Sequence, residues 1–167
     1  RGQSGPSITL SPTDAHKVSV TLPDGRVEEF DMQVSPTSGL GALDFTNVVG
    51  FTSRAGTVGK LEALAASSLV ILNAGLLDEL AEFGTLNTYN PQVFRYTSLE
   101  GTEFVVHRTS GVQSIKETNG NTLTFGPNGI IHSAGKSALF QRDSDGRITQ
   151  LTDPRGNVQA YTYDVNG

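Results

Sequence analysis

The chain has 167 residues, enough for one domain with a real core or for two small ones. Hydrophobic residues make up 36% and charged residues only 17%, while 19 glycines and 7 prolines supply frequent reversals, a balance that points to an all-β chain. A net charge of −5 without any Lys/Arg cluster argues against nucleic acid, the lack of cysteine excludes disulfides and thiolate metal sites, and no apolar run approaches the roughly 18–20 residues that span a bilayer.

Residues 1–15 are rich in Gly, Ser, Pro and Thr and read as a linker or extended lead-in. The segment Arg1-Gly2-Gln3-Ser4-Gly5-Pro6 has no apolar stretch of signal-peptide type. Val18, Val20 and Leu22 then alternate with polar residues, Pro23-Asp24-Gly25-Arg26 turns, and Phe30, Met32 and Val34 alternate again. Residues 17–34 are therefore expected to form a β-hairpin, ended by Pro36-Thr37-Ser38-Gly39. Residues 43–52 suggest a further strand. Between 58 and 83 the pattern is mixed: Leu61, Leu64 and Ala65 have helical spacing, as do Leu76, Leu77, Leu80 and Phe83, whereas residues 69–72 resemble a buried strand. The expectation there is a strand over 69–72 and a short helix after Gly75. From Val93 the pattern becomes regular, with Phe94 and Tyr96 alternating, Leu99-Glu100-Gly101 turning and Phe104 and Val106 returning. Glycines recur at 101, 111, 120, 129, 135, 146, 156 and 167, mostly nine to eleven residues apart, which is the length of one strand and one turn.

Two stretches superpose without gaps at an offset of 36 residues. Val112, Ile115, Glu117, Gly120 and Asn121 fall on Ile148, Leu151, Asp153, Gly156 and Asn157, and Phe125 falls on Tyr161. Recurrence of a supersecondary unit in this way indicates an array. The second copy runs Gly146-Arg147-Ile148-Thr149-Gln150-Leu151-Thr152-Asp153-Pro154-Arg155-Gly156-Asn157 and then Tyr161-Thr162-Tyr163-Asp164-Val165-Asn166-Gly167. It resembles the tyrosine–aspartate (YD) repeat of RHS proteins, teneurins and the shell components of bacterial toxin complexes, with the motif met at every position. The first copy departs from it, because Phe125-Gly126-Pro127-Asn128-Gly129 stands where Tyr-x-Tyr-Asp is expected. The resemblance covers about 111–167, more loosely 92–110, and does not reach 1–90.

The resemblance implies hairpins that spiral into a shell, in a secreted or cell-surface protein. The motif residues Gly146, Ile148, Leu151, Asp153, Gly156, Asn157, Tyr161, Tyr163, Asp164 and Gly167 have structural roles: glycines for turns, aspartates accepting from turn amides, tyrosines covering the sheet and pairing across strands. The expected fold is mainly β, with consecutive antiparallel hairpins forming an open sheet or partial YD-type shell and at most one or two short helices near 58–83. Its expected division is a lead-in over 1–15, a β-rich region over 16–91 and a hairpin repeat region over 92–167. Both ends of the sequence suggest a piece of a longer chain.

Catalytic and cofactor signatures are missing. His16, His107 and His132 lack metal-ligand spacing, there is no G-x-S-x-G elbow, and no phosphate-binding glycine loop occurs. Asp143-Ser144-Asp145-Gly146 lacks the later ligands of a calcium loop. Glu28, Glu29, Glu100 and Glu103 lie in hairpins with no sign of convergence, as a glycosidase would require. The leading expectation is a non-catalytic scaffold with no cofactor and no metal. Its partners are flanking repeats or copies of itself in a homo-oligomer or filament, with neither nucleic acid nor a membrane span. A second reading is adhesion to glycans or cell-surface proteins, with Tyr89 and Tyr96 as candidates for stacking on sugar rings beside Tyr161 and Tyr163. A hydrolase is a distant third.

Overall fold

The structure, a computed structural model, describes residues 5–10, 16–37, 46–65, 68–74 and 77–164. Among them it is all-β and antiparallel, and it divides into two compact units, Arg1–Val112 and Gln113–Gly167.

The first unit follows from alternation. In β2 (Lys17–Thr21) Val18 and Val20 are buried, and in β3 (Val27–Pro36) Glu28 and Phe30 are buried opposite them, Val18 facing Phe30 and Val20 facing Glu28. On one side, β1 (Ser7–Leu10) pairs with β2. On the other, β4 (Asn47–Ser53) pairs with β3, and β6 (Leu69–Ala74) and β7 (Leu77–Glu82) complete six strands in the order β1-β2-β3-β4-β6-β7. A second group joins β5 (Lys60–Ala63) to β8 (Val93–Thr97) and β8 to β9 (Glu103–His107). Ile8, Val18, Val20, Leu22 and Phe30 meet Leu61, Phe94, Tyr96 and Val106 in one buried cluster, and Phe51 packs edge-on against Phe94 with ring centroids 6.0 Å apart. Nine such side chains, each contributing about 1.5–3 kcal/mol on burial, make this cluster the unit's main stabilising feature.

Ser7–Leu10, within the stretch read as a linker or extended lead-in, is a strand, with Ile8 turned into the core. The expectation of a short helix changes. The residues expected to form a short helix after Gly75 are instead β7, which pairs in full register with β6 from Leu69↔Glu82 to Ala74↔Leu77. Period 2 prevails over period 3.6 because Ala81 fills a buried position against the neighbouring strand while Phe83 lies outside it, exposed. Of the residues with helical spacing at 61–65, Leu61 lies in β5, buried against its partner Tyr96, and Leu64 and Ala65 follow the strand's end. Residues 43–45, Gly75, Leu76 and Gly167 lie outside the described residues.

The second unit consists of consecutive hairpins. Following β10 (Gly111–Lys116), which crosses the division between the units, come β11 (Thr122–Gly126), β12 (Gly129–His132), β13 (Ser137–Arg142), β14 (Ile148–Thr152) and β15 (Val158–Ala160), each paired with the one before. The 36-residue offset is structural. Lys116↔Thr122, Ile115↔Leu123 and Ser114↔Thr124 in the first copy correspond to Thr152↔Val158, Leu151↔Gln159 and Gln150↔Ala160 in the second.

Candidate functional site

One five-residue turn closes six of the hairpins. Its first residue donates its N–H to the carbonyl of the fifth, and the fourth, always glycine, donates back to the carbonyl of the first. The turns begin at Leu22, Ser98, Glu117, His132, Asp143 and Asp153, and the glycines at 25, 101, 120, 135, 146 and 156 have φ between +81° and +89°. This is a type I turn followed by a left-handed residue, whose twist suits a hairpin and whose fourth position favours glycine.

In the repeat, aspartate at the first position completes the turn. Asp143 Oδ1 accepts from the amides of Asp145 (3.0 Å) and Arg147 (2.9 Å), and Oδ2 accepts from Arg147 Nε at 2.8 Å. Asp153 Oδ1 accepts from the amides of Arg155 (2.8 Å) and Asn157 (2.9 Å), and Oδ2 from Asn157 Nδ2 at 2.7 Å. The Arg147 amide, with its guanidinium, holds Asp143 below the usual carboxylate range, and Asn157, through side chain and backbone, does the same for Asp153.

Tyr163 ties the chain back to the end of the turn that begins at Asp143. Its hydroxyl donates to the Ile148 carbonyl at 2.7 Å, and its ring lies 4.9 Å from the Arg147 guanidinium. Arg147 is thus held by Asp143, Asp145 and Tyr163 together. It was not among the residues singled out from sequence; its signal was its place four after an aspartate, directly behind the turn glycine. The Tyr161 amide donates to Thr149, while Ile148 and Leu151 are half-buried and Asp164 is exposed.

A groove of about 320 Å³ opens in the first unit, between the turns that begin at Leu22 and Ser98. Glu28, 3% exposed, lies at its floor, with Oε2 accepting from the Tyr96 hydroxyl and from the Gly59 amide, both at 3.0 Å. Burial and the Glu28 carboxylate push the Tyr96 phenol well up. Asp24 and Glu100 also line the groove, so the hairpins that carry Glu28 and Glu100 border one opening, a placement that sequence spacing does not give. The signal for the burial of Glu28 was phase: it is two residues before Phe30 and must share its inward face. Tyr96 is 1% exposed, which removes its ring as a stacking platform, and Tyr89 is half-buried beside Leu80, Pro91 and Phe94. Among the described residues no group of three or more His, Asp or Glu could hold a metal ion. His107 instead uses Nδ1 to accept from the Thr109 amide at 3.2 Å.

The fold and turns thus define an all-β hairpin-repeat protein. Residues 142–167 match the RHS Repeat family model, in agreement with the motif, so the chain carries a repeat of the RHS/YD type. No curated protein and no solved structure matches the chain.

Proposed function

We propose that this chain is a non-catalytic scaffold segment of a larger secreted or surface RHS-repeat protein, completed along its sheet edge by further repeats or by a second copy. The observation that carries this reading is the edge of the second unit. Asn157 O accepts from Asp153 N and Tyr161 N donates to Thr149 O, so residues 157, 159 and 161 face β14 while Val158 and Ala160 direct their backbone groups outward. β15 is exposed along its whole length. An unpaired edge of this kind is a template for another strand.

Two of the three carboxylates that line the groove, Asp24 and Glu100, support the non-catalytic reading. Both oxygens of Asp24 are occupied by Arg26, at 3.0 Å to its amide and 2.6 Å to Nε. Asp24 is shifted down by the Arg26 amide, and Glu100 by its own amide and the Ser98 hydroxyl, the wrong direction for a general acid at neutral pH.

Light scattering on a sizing column tests the edge. Reversible self-association across about a hundredfold dilution is expected, and Ala160→Pro, which removes an outward N–H and leaves the β14 pairing intact, is expected to abolish it. A monomer at every concentration counts against the proposal.

A further inference from the structure

The groove of the first unit has a property that neither the repeat nor the sheet edge accounts for. Glu28 points inward from β3, and burying a carboxylate costs several kcal/mol unless partners offset it. Its two partners, Tyr96 and Gly59, both fall on Oε2. Neither hydrogen bond uses Oε1, and Glu28 lines the groove. Gly59 makes room for this arrangement, since a Cβ there would come within 2.4 Å of the Tyr96 ring and 2.7 Å of Glu28 Oε2.

The walls indicate what fits. Leu22, Val58, Leu99 and Phe104 form apolar sides, and Val58 and Leu99 stand exposed at 50% and 70%. The charged groups that line the groove are three carboxylates, Asp24, Glu28 and Glu100, and one cation, Arg26, which is paired with Asp24, so negative charge is in excess there. A negative end reached along an apolar wall selects a positive group on a methylene stem. The volume of about 320 Å³ is at the small end for a ligand site, the scale of one long side chain.

We propose that this groove seats a lysine or arginine side chain of a partner polypeptide, with the ammonium or guanidinium at Glu28 Oε1 and the stem along Leu22, Val58, Leu99 and Phe104. The partner's backbone then lies across the two turn tips.

The test is a two-dimensional NMR titration of the whole isotope-labelled chain with Nα-acetyl-lysine amide and Nα-acetyl-arginine amide, with Nα-acetyl-glutamine amide as the uncharged control and cadaverine as a free diamine. Saturable shifts at the amides of Gly59, Tyr96, Gly101 and Thr102 are expected, with a Kd of order 1 mM, and none from the control. Glu28→Gln preserves an oxygen for Tyr96 and Gly59 and is expected to weaken binding at least about tenfold. Should that variant fail to fold, Glu100→Gln and Leu99→Ser, both at exposed positions, are each expected to weaken it about two- to fivefold. Absence of saturable shifts up to about 20 mM, wild-type affinity in a folded Glu28→Gln, or wild-type affinity in both rim variants overturns the proposal. Tighter binding of cadaverine than of either blocked amino acid overturns the polypeptide source.

Discussion

The two units use the same hairpin turn and are held together differently. Arg1–Val112 contains the whole buried hydrophobic cluster, whereas among the described residues of Gln113–Gly167 Gly129 alone is buried. In the first unit the turns only connect strands whose order the core already enforces. In the second, turn geometry, cross-strand pairs and the Asp143–Arg147–Tyr163 cluster carry the stability, and half-buried side chains such as Leu123, Ile130 and Phe140 contribute only a fraction of a core residue's burial. A unit of the second kind gains most from a neighbour, since it has no buried cluster of its own among the described residues.

The largest test of this contrast is truncation. Phe30→Ala removes a fully buried ring and is expected to cost about 3–5 kcal/mol, enough to unfold much of the first unit. Leu123→Ala, at a half-buried position in β11, is expected to cost about 1 kcal/mol. Hydrogen exchange resolved by residue measures both, and equal costs would break the comparison.

Next comes the backbone of the second unit. Gly129 has φ +145°, and a Cβ there would lie 2.2 Å from the Ala138 carbonyl oxygen across the β12–β13 pair. Gly129→Ala therefore forces two strands apart and is expected to cost about 3 kcal/mol or more. Gly120→Ala meets open space, so only the left-handed backbone is penalised, at about 1–2 kcal/mol. Similar effects from the two substitutions would mean that turn strain, not strand contact, limits this unit.

Tyr163 offers a finer probe. Tyr163→Phe deletes the bond to the Ile148 carbonyl and keeps a ring over Arg147, for an expected loss of about 0.5–1.5 kcal/mol. Tyr163→Leu loses the cation–π contact as well, for roughly 0.5–1 kcal/mol more. Thermal unfolding followed at second-unit amides separates the two.

What the sequence revealed divides along the same line. The second unit was legible because its information is local: a glycine at the fourth position of each five-residue turn and flanking alternation specify the hairpins, and two copies in identical register confirm the period. In the first unit the β2–β3 hairpin was legible for the same reason. The pairing of β5 with β8 was not, because Leu61 and Tyr96 meet across 35 residues without a shared turn. β7 was misread because a six-residue run fits a helix or a strand equally until its partner is known. The roles of Arg147 and Glu28 are not legible in the sequence because each acts through residues that only the fold brings near: Tyr163 for one, Gly59 and Tyr96 for the other. The inward phase of Tyr96 with Phe94 was itself in the sequence, and it conflicts with a stacking role.

The smallest expected effect is acid sensitivity. Asp143 and Asp153 have folded values depressed below the ordinary 3.8 by hydrogen bonds that only the carboxylate can fully accept. A depressed carboxylate contributes stability that is complete above the unfolded value and is lost as pH falls through the folded one. The second unit, lacking a core, is therefore expected to lose amide protection before the first as pH drops below about 4. The double substitution Asp143→Asn and Asp153→Asn retains an accepting oxygen at each turn and removes the titrating proton, so it is expected to flatten this dependence. A second unit whose acid loss persists in that variant would locate its sensitivity elsewhere, and would separate turn capping from edge pairing as the force that holds a coreless array together.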